Sequence, residues 1–451
     1  MGTLHASVKT DHGDTRALKA QGWTWAAVAT ALVLKLAVLY QIHDHPLLRP
    51  AGVLDTAAYF DLARRAAAGD WALGPSAYYV SPLYIYFLAA VFRLTEAAAL
   101  HAQAAQALLG AAAVALVARC ADRIYGGRAG LAAAVLAAFT GVLAFNEVLI
   151  LQSALDPFLA ALALERLAAA VTQPAPRRFV WAGIALGLLG LNRPNALLAA
   201  AAVVAVAAVT ARSRRSALHA LLIAAGVGLA LAPVAIRNRV VTGEWLLVSS
   251  HGGLNFSIGN NPDADGTYLA PPGIAPSIVG QMRDTRRVAE AAAGRSLTDS
   301  EVSDHFYQLA LRWIREHPGA AARLFARKAV LALHSADVPL NYSYAYWSRD
   351  EPTALRVMVV GPWLLVPLGL AGLVAPRRPD RSAFLAWAAF IPAYALSLAV
   401  FFVASRYRLP LLVALCVTAG GAASWAWSVL AGRQAAARGQ VRRAAAVGTI
   451  L

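Results

Sequence analysis

The sequence predicts an all-α polytopic membrane protein with about ten transmembrane helices, helices lying in the outer interface and a mixed periplasmic segment. Three observations predict it. The 451-residue chain is 59% hydrophobic and only 14% charged, with a mean hydropathy of +0.55, far more apolar surface than one soluble core needs. The apolar residues come in uncharged blocks of roughly 18–22, the length that crosses about 30 Å of hydrocarbon at 1.5 Å per residue. Ala, Leu, Val and Gly dominate the blocks, which reads as helices and not as the alternating strands of a barrel.

With the N-terminus inside, helices are expected near 23–41, 97–118, 129–146, 149–170, 179–192, 194–211, 216–236, 356–375, 382–403 and 408–430. The mixed charge before Trp23 is unlike a signal-peptide leader, so the first block is read as a retained transmembrane helix. Charge placement fixes the register. The net charge of +16 would suggest nucleic acid in a soluble protein, but here the basic residues fall in short loops: Arg119, Arg123 and Arg128, Arg177 and Arg178, Arg212, Arg214 and Arg215, Arg377, Arg378 and Arg381, then Arg433, Arg438, Arg442 and Arg443. That is the positive-inside pattern, and nucleic acid is not expected. The segment 237–352 is balanced, with twelve Lys/Arg against twelve Asp/Glu. Pro82 to Phe92 is apolar but too short to span, and a spanning reading would put Arg119, Arg123 and Arg128 outside, so it is placed in the interface. The organisation expected is a module over 1–236 with an outer loop at 42–96, a periplasmic segment over 237–352 with short helices, further transmembrane helices over 353–430 and a basic tail over 431–451. Gly183 to Gly190 permits close helix packing. The two cysteines, Cys120 and Cys416, provide no disulfide framework.

Polar residues in the two outer regions are the candidates for chemistry. Asp55 precedes a short amphipathic helix, placed like an N-cap. Asp156 lies about two turns into the helix at 149–170, and Glu147 at the turn before it; a carboxylate in so apolar a setting is a functional candidate, against the alternative that Asp156 caps a helix beginning at Pro157. Arg193, Arg406 and Arg408, with the weaker candidates Lys328 and His251, could hold an anionic phosphate, or the arginines could snorkel to lipid headgroups. Tyr78, Tyr79 and Tyr84 suit a sugar face or the interfacial aromatic belt. Asp263 and Asp265 have D-x-D spacing in a Gly/Pro turn, and the turn is preferred.

The ordered motifs D-T-A-A-Y-F, Y-Y-V-S-P-L-Y-I-Y-F, S-A-L-D-P-F, L-N-R-P-N and S-R-Y-R-L-P span most of the chain. Together they resemble bacterial glycosyltransferases of the C superfamily, in the group of protein O-mannosyltransferases and the lipid A aminoarabinose transferase. The resemblance implies a bacterial inner-membrane enzyme that takes a sugar from a polyprenyl-phosphate donor to the hydroxyl of a glycan, lipid or protein at the periplasmic face, with inversion. It places the first-loop catalytic aspartate on Asp55 and a second acid on Asp156, with Glu147 as an alternative. Arg406, Arg193, Arg408, Lys328 and His251 would meet the lipid phosphate. Tyr59, Tyr79, Asn255 and Asn260 would line the donor or acceptor sugar. Thr56 stands where the protein O-mannosyltransferases carry a second acid, a departure from protein mannosylation. A divalent metal between Asp55 and Asp156 is an open expectation. The rival functions are a transporter, for which two related halves with midplane charges would be expected, and a non-catalytic lipid-binding assembly protein.

Overall fold

A computed structural model describes residues 11–50, 54–95, 97–211 and 213–448. The side chains of the basic tail from 433 onward lie outside the described residues. The helices run α1 (Asp11–Ile42), α2 (Asp55–Ala67), α3 (Leu83–Thr95), α4 (Ala99–Tyr125), α5 (Gly127–Ala138), α6 (Gly141–Glu147), α7 (Asp156–Thr172), α8 (Pro176–Asn192), α9 (Ala196–Val209), α10 (Arg214–Thr242), α11 (Gly252–Gly259), α12 (Ile278–Ala293), α13 (Asp299–Glu316), α14 (Pro318–Leu333), α15 (Tyr344–Arg349), α16 (Pro362–Gly372), α17 (Arg381–Ala388), α18 (Phe390–Val400) and α19 (Leu409–Gly448). No strand forms among the described residues.

Among the described residues, five helices are long and apolar enough to cross a membrane: Gln21–Ile42, Ala99–Tyr125, Ser216–Thr242, Arg381–Val400 and Ser405–Gly432. Leu83–Thr95, Gly127–Ala138, Ala196–Val209 and Pro362–Gly372 are apolar but shorter. The expected helices at 129–146 and 149–170 are where sequence and structure differ most. The first breaks at Phe139 and Thr140, where Val360 N donates to Phe139 O at 3.1 Å. The second does not start until Asp156, after an irregular stretch and a 3₁₀ turn at Gln152–Leu155.

Open backbone in an apolar interior survives only if its polar groups find protein partners. Two glutamines of α4 supply them. Gln103 Nε2 donates to Val148 O at 2.9 Å, and Gln106 Nε2 to Glu147 O at 3.0 Å and Leu149 O at 2.8 Å. Both side chains are buried, 4% and 0% exposed. The break between α6 and α7 is therefore built into α4, and it is what lets the N-terminus of α7 point its first residue into the site.

The α8 glycines serve packing inside the chain. A Cβ at Gly183 would fall 2.1 Å from Ile223 O, and one at Gly226 2.3 Å from Val180 O, so α8 and α10 touch backbone to backbone. The short segment expected in the interface forms α3, 13 residues long, with Tyr84, Ile85, Leu88, Ala89 and Phe92 buried. At 1.5 Å per residue that is about 20 Å, short of a crossing.

Glu147 ends α6, fully enclosed, and forms an ion pair with Lys35 of α1; each side chain is 1% exposed. Removing one partner of such a pair strands a buried charge. Lys35→Met should lower unfolding stability in detergent by about 3–5 kcal/mol, and the Lys35→Met/Glu147→Gln double variant should recover most of that loss, read from thermal unfolding of the solubilised protein.

Candidate active site

Asp55 is the first residue of α2, and the N-cap position is Leu54, whose side chain bonds nothing in the helix. The carboxylate is thus not consumed in capping, although it benefits from the helix N-terminus. It accepts a hydrogen bond from Arg406 at 2.9 Å, in a pair whose side chains keep 16% and 13% exposure. This half-enclosed setting leaves the carboxylate reachable and the attraction only partly screened by water.

Arg406 projects from a 3₁₀ turn at Ser405–Arg408 that its neighbours lock. Ser405 Oγ donates to Asp337 Oδ1 at 2.6 Å and accepts from Val338 N at 2.8 Å. Arg408 is 3% exposed, and donates to His334 O at 2.5 Å, Ala336 O at 2.9 Å and Ser405 Oγ at 2.8 Å. The two arginines of S-R-Y-R thereby divide their work: Arg408 is engaged in holding the turn, and Arg406 is presented to Asp55. The Nε of Arg406, like that of Arg408, is buried without a partner.

Asp156 is the first residue of α7, not two turns inside a helix as expected, because the α6–α7 break shifts the helix start. It does not cap: its Oδ2 accepts from Arg193 Nε at 3.0 Å and more closely from the Nη2 of the same guanidinium, and its Oδ1 accepts from Asn192 Nδ2 at 2.8 Å. Tyr407 joins the two ion pairs. The Arg193 guanidinium lies 4.6 Å from its ring centroid and that of Arg406 5.4 Å, so one ring face system serves two cations.

The network closes on the helix it began from. Asn192 Nδ2 also donates to Gln152 O at 3.1 Å, and Gln152 Oε1 accepts from Tyr59 Oη at 2.6 Å, one turn along α2 from Asp55. Tyr59 is thus a strut for α2. Thr56 Oγ1 adds a contact to Tyr342 Oη at 3.1 Å. Tyr407, Asn192, Gln152 and Tyr342 were not singled out from sequence. Tyr407 and Asn192 lay inside the arginine motifs, and the signal available was their adjacency to Arg406 and Arg193.

Other expected site residues lie elsewhere. Lys328 is 0% exposed, and its ammonium donates to Gly259 O at 2.9 Å, Asn260 Oδ1 at 3.0 Å and Phe401 O at 2.9 Å. It clamps α11 to the end of α18, with all three donors taken. Burial pulls its pKa down to about 8. Asn260 is part of the same clamp, donating to Phe256 O at 2.8 Å and Val400 O at 2.9 Å. The assignment of Lys328 to a phosphate is corrected accordingly: a phosphate would have to displace structural bonds.

His251 is also differently occupied. Asn255 Nδ2 donates to its Nδ1 at 3.2 Å, so its Nε2 carries the proton given to Gln281 Oε1 at 2.9 Å. Burial lowers its pKa to about 4, against smaller opposing effects of the Gln281 bond and the negative charge of Asp55. A neutral imidazole is no phosphate ligand by charge. Its ring packs on Tyr79 at 4.8 Å between centroids.

Each of Asp55 and Asp156 faces an arginine, and among the described residues no group of three or more His, Cys, Asp or Glu side chains comes together.

Beside Arg406 lies a narrow cleft, with about 10 Å³ open to water-sized groups, lined by Phe145, Asn146, Leu149, Asp337, Tyr342 and Tyr344 among others. Among solved structures, the chain is similar to the apo oligosaccharyltransferase of Archaeoglobus fulgidus, with a TM-score of 0.53 and 14% identity, over 92% of this chain and 52% of that one. The chain therefore spans about half the length of that transferase. Weaker likenesses are to the same organism's AglB in complex with an inhibitory peptide and a dolichol-phosphate (TM-score 0.48, 15% identity, 92% and 52% covered) and to ArnT from Cupriavidus metallidurans bound to undecaprenyl phosphate (TM-score 0.37, 16% identity, 89% and 78% covered). Residues 79–236 match the family Dolichyl-phosphate-mannose-protein mannosyltransferase. That stretch includes Asp156 and Arg193, and leaves Asp55 and Arg406 outside it. No curated protein matches the chain.

The His251 environment gives a pH dependence. Below its ordinary value of 6.5 the unfolded chain binds a proton that the folded chain refuses until about pH 4, so stability should fall as pH drops through that window. Thermal midpoints measured from pH 7 to pH 5 should decline less steeply in His251→Gln than in the wild type.

Proposed function

We propose that this protein transfers a sugar from a polyprenyl-phosphate donor to a hydroxyl acceptor at the periplasmic face of a bacterial inner membrane, inverting the anomeric centre. In this reading α5 with α6, α7, α8, α9 and α16 join the five long spans in a bundle of about ten crossings, with α3 in the interface. The observation that carries the proposal is the half-enclosed pair of Asp55 and Arg406 at 2.9 Å, set against the second pair, Arg193 and Asp156, across the Tyr407 ring.

At rest, the two acids and two arginines balance. The donor's phosphodiester oxygen draws on Arg406, loosening its hold on Asp55. Asp55 then accepts the acceptor's proton as the acceptor oxygen bonds to the anomeric carbon. The bond from that carbon to the phosphate oxygen breaks, and the electron pair leaves with the lipid phosphate. Arg406 and, behind it, Arg193 meet the second negative charge that grows on the phosphate. Asp156 holds Arg193 in place and is a positioning residue in this scheme.

Transfer from a labelled polyprenyl-phosphate sugar should fall by about 10²- to 10⁴-fold in Asp55→Asn and about 10²- to 10³-fold in Arg406→Ala, with protein level and thermal midpoint near those of the wild type. Full turnover in Asp55→Asn would remove the catalytic assignment.

A further inference from the structure

A second cavity, with about 70 Å³ open to water-sized groups, lies between the segment at 76–79, the start of α11, and helices α12 and α13. We propose that this cavity receives a neutral sugar ring of the acceptor and orients its reacting hydroxyl toward Asp55; the inference rests on the transferase reading above and names the acceptor class as a glycan.

The lining is amphipathic in the way a pyranose requires. Tyr79, Phe306 and Leu254 offer apolar faces, while Ser250, Thr285 and Ser303 offer hydroxyls. The hydroxyl of Tyr79 is itself buried without a hydrogen-bond partner. Leaving such a group unpaired costs about 1–3 kcal/mol, a cost that a ligand hydroxyl would remove.

The charges exclude an ionic occupant. Arg286 and Asp299 both reach the cavity, but they are paired with each other. Arg286 also donates to Leu297 O at 2.5 Å and to Glu290 at 3.3 Å, and Asp299 Oδ2 accepts from Ala77 N at 2.7 Å. With His251 neutral, no free cation remains to greet a phosphate or a uronic acid. The contrast is with the cleft beside Arg406, which that guanidinium lines.

The wall of this cavity also lies in the field of Asp55. The Asp55 charge acts on His251, which packs on Tyr79, and on Tyr268, whose hydroxyl accepts from Gln281 Nε2 at 2.9 Å. Helix α2, which carries Asp55, packs on α12 of this cavity, and Asp55 itself pairs with Arg406 of the other.

Met282 lines the cavity and is 49% exposed, and the native thiols Cys120 and Cys416 are buried, so Met282→Cys places one accessible thiol at the pocket. In the full chain in lipid nanodiscs, methyl glycosides of neutral hexoses should slow maleimide labelling of that thiol by about tenfold at roughly ten times their Kd, while glucuronate leaves the rate unchanged. Adding Tyr79→Phe or Thr285→Val should remove the protection, and Tyr79→Phe alone should keep or raise the thermal midpoint, because it deletes an unpaired buried hydroxyl. The inference is overturned by no protection from any neutral hexoside at about 100 mM, a hundredfold above a Kd of about 1 mM; by equal protection from glucuronate; or by protection that survives both substitutions. Asp55→Asn should retain protection while losing transfer, so failure of the catalytic reading and failure of the pocket give different results.

Discussion

The constraint on which this structure depends is that charge placed among apolar helices must be balanced before any ligand arrives. Asp55 with Arg406 and Asp156 with Arg193 meet it as two pairs around one tyrosine ring. The pairs differ in burial. Asp156 is sealed at 0% exposure with Arg193 at 8%, while Asp55 and Arg406 keep 16% and 13%. A sealed pair fixes geometry and an accessible pair exchanges partners, so two similar ion pairs take separate roles.

Everything nearby serves to deliver those four side chains from distant helix ends. The α6–α7 break aims Asp156 inward, and Gln103 and Gln106 make the break tolerable. The Ser405–Asp337 and Arg408–carbonyl bonds pin the turn that carries Arg406. Lys328 holds α11 against the end of α18 without any carboxylate, using three oxygens that helix and loop ends leave open. Cationic side chains thus act as backbone fasteners at Lys328 and Arg408, whereas Arg406 pairs with a carboxylate.

Much of the helical framework was legible in the sequence because apolar block length and loop charge are strong physical signals. Asp55, Asp156, Arg193 and Arg406 were legible as candidates because charge is expensive in such surroundings. Their pairing was not, since Asp55 and Arg406 are 351 positions apart and nothing local links them. The broken helices were missed because apolar composition reports burial and not continuity. The available clue was the i, i+3 pair Gln103 and Gln106 inside α4, two amides on one helical face with no reason to be there unless a neighbouring backbone needed them. Lys328, Arg408 and His251 looked like anion ligands because residue type carries charge but not its commitments. Only the carbonyls and amides around them show the structural bonds they already make.

The long closure between Asp55 and Arg406 has a consequence for biogenesis. Asp55 enters the membrane machinery hundreds of residues ahead of its partner, and the Tyr59–Gln152–Asn192 strut becomes available well before Arg406 is synthesised. During translation the aspartate therefore waits, braced through its helix but electrostatically incomplete, until the S-R-Y-R turn arrives. A chain stopped before that turn has the Tyr59–Gln152–Asn192 strut in place and Asp55 still without its guanidinium.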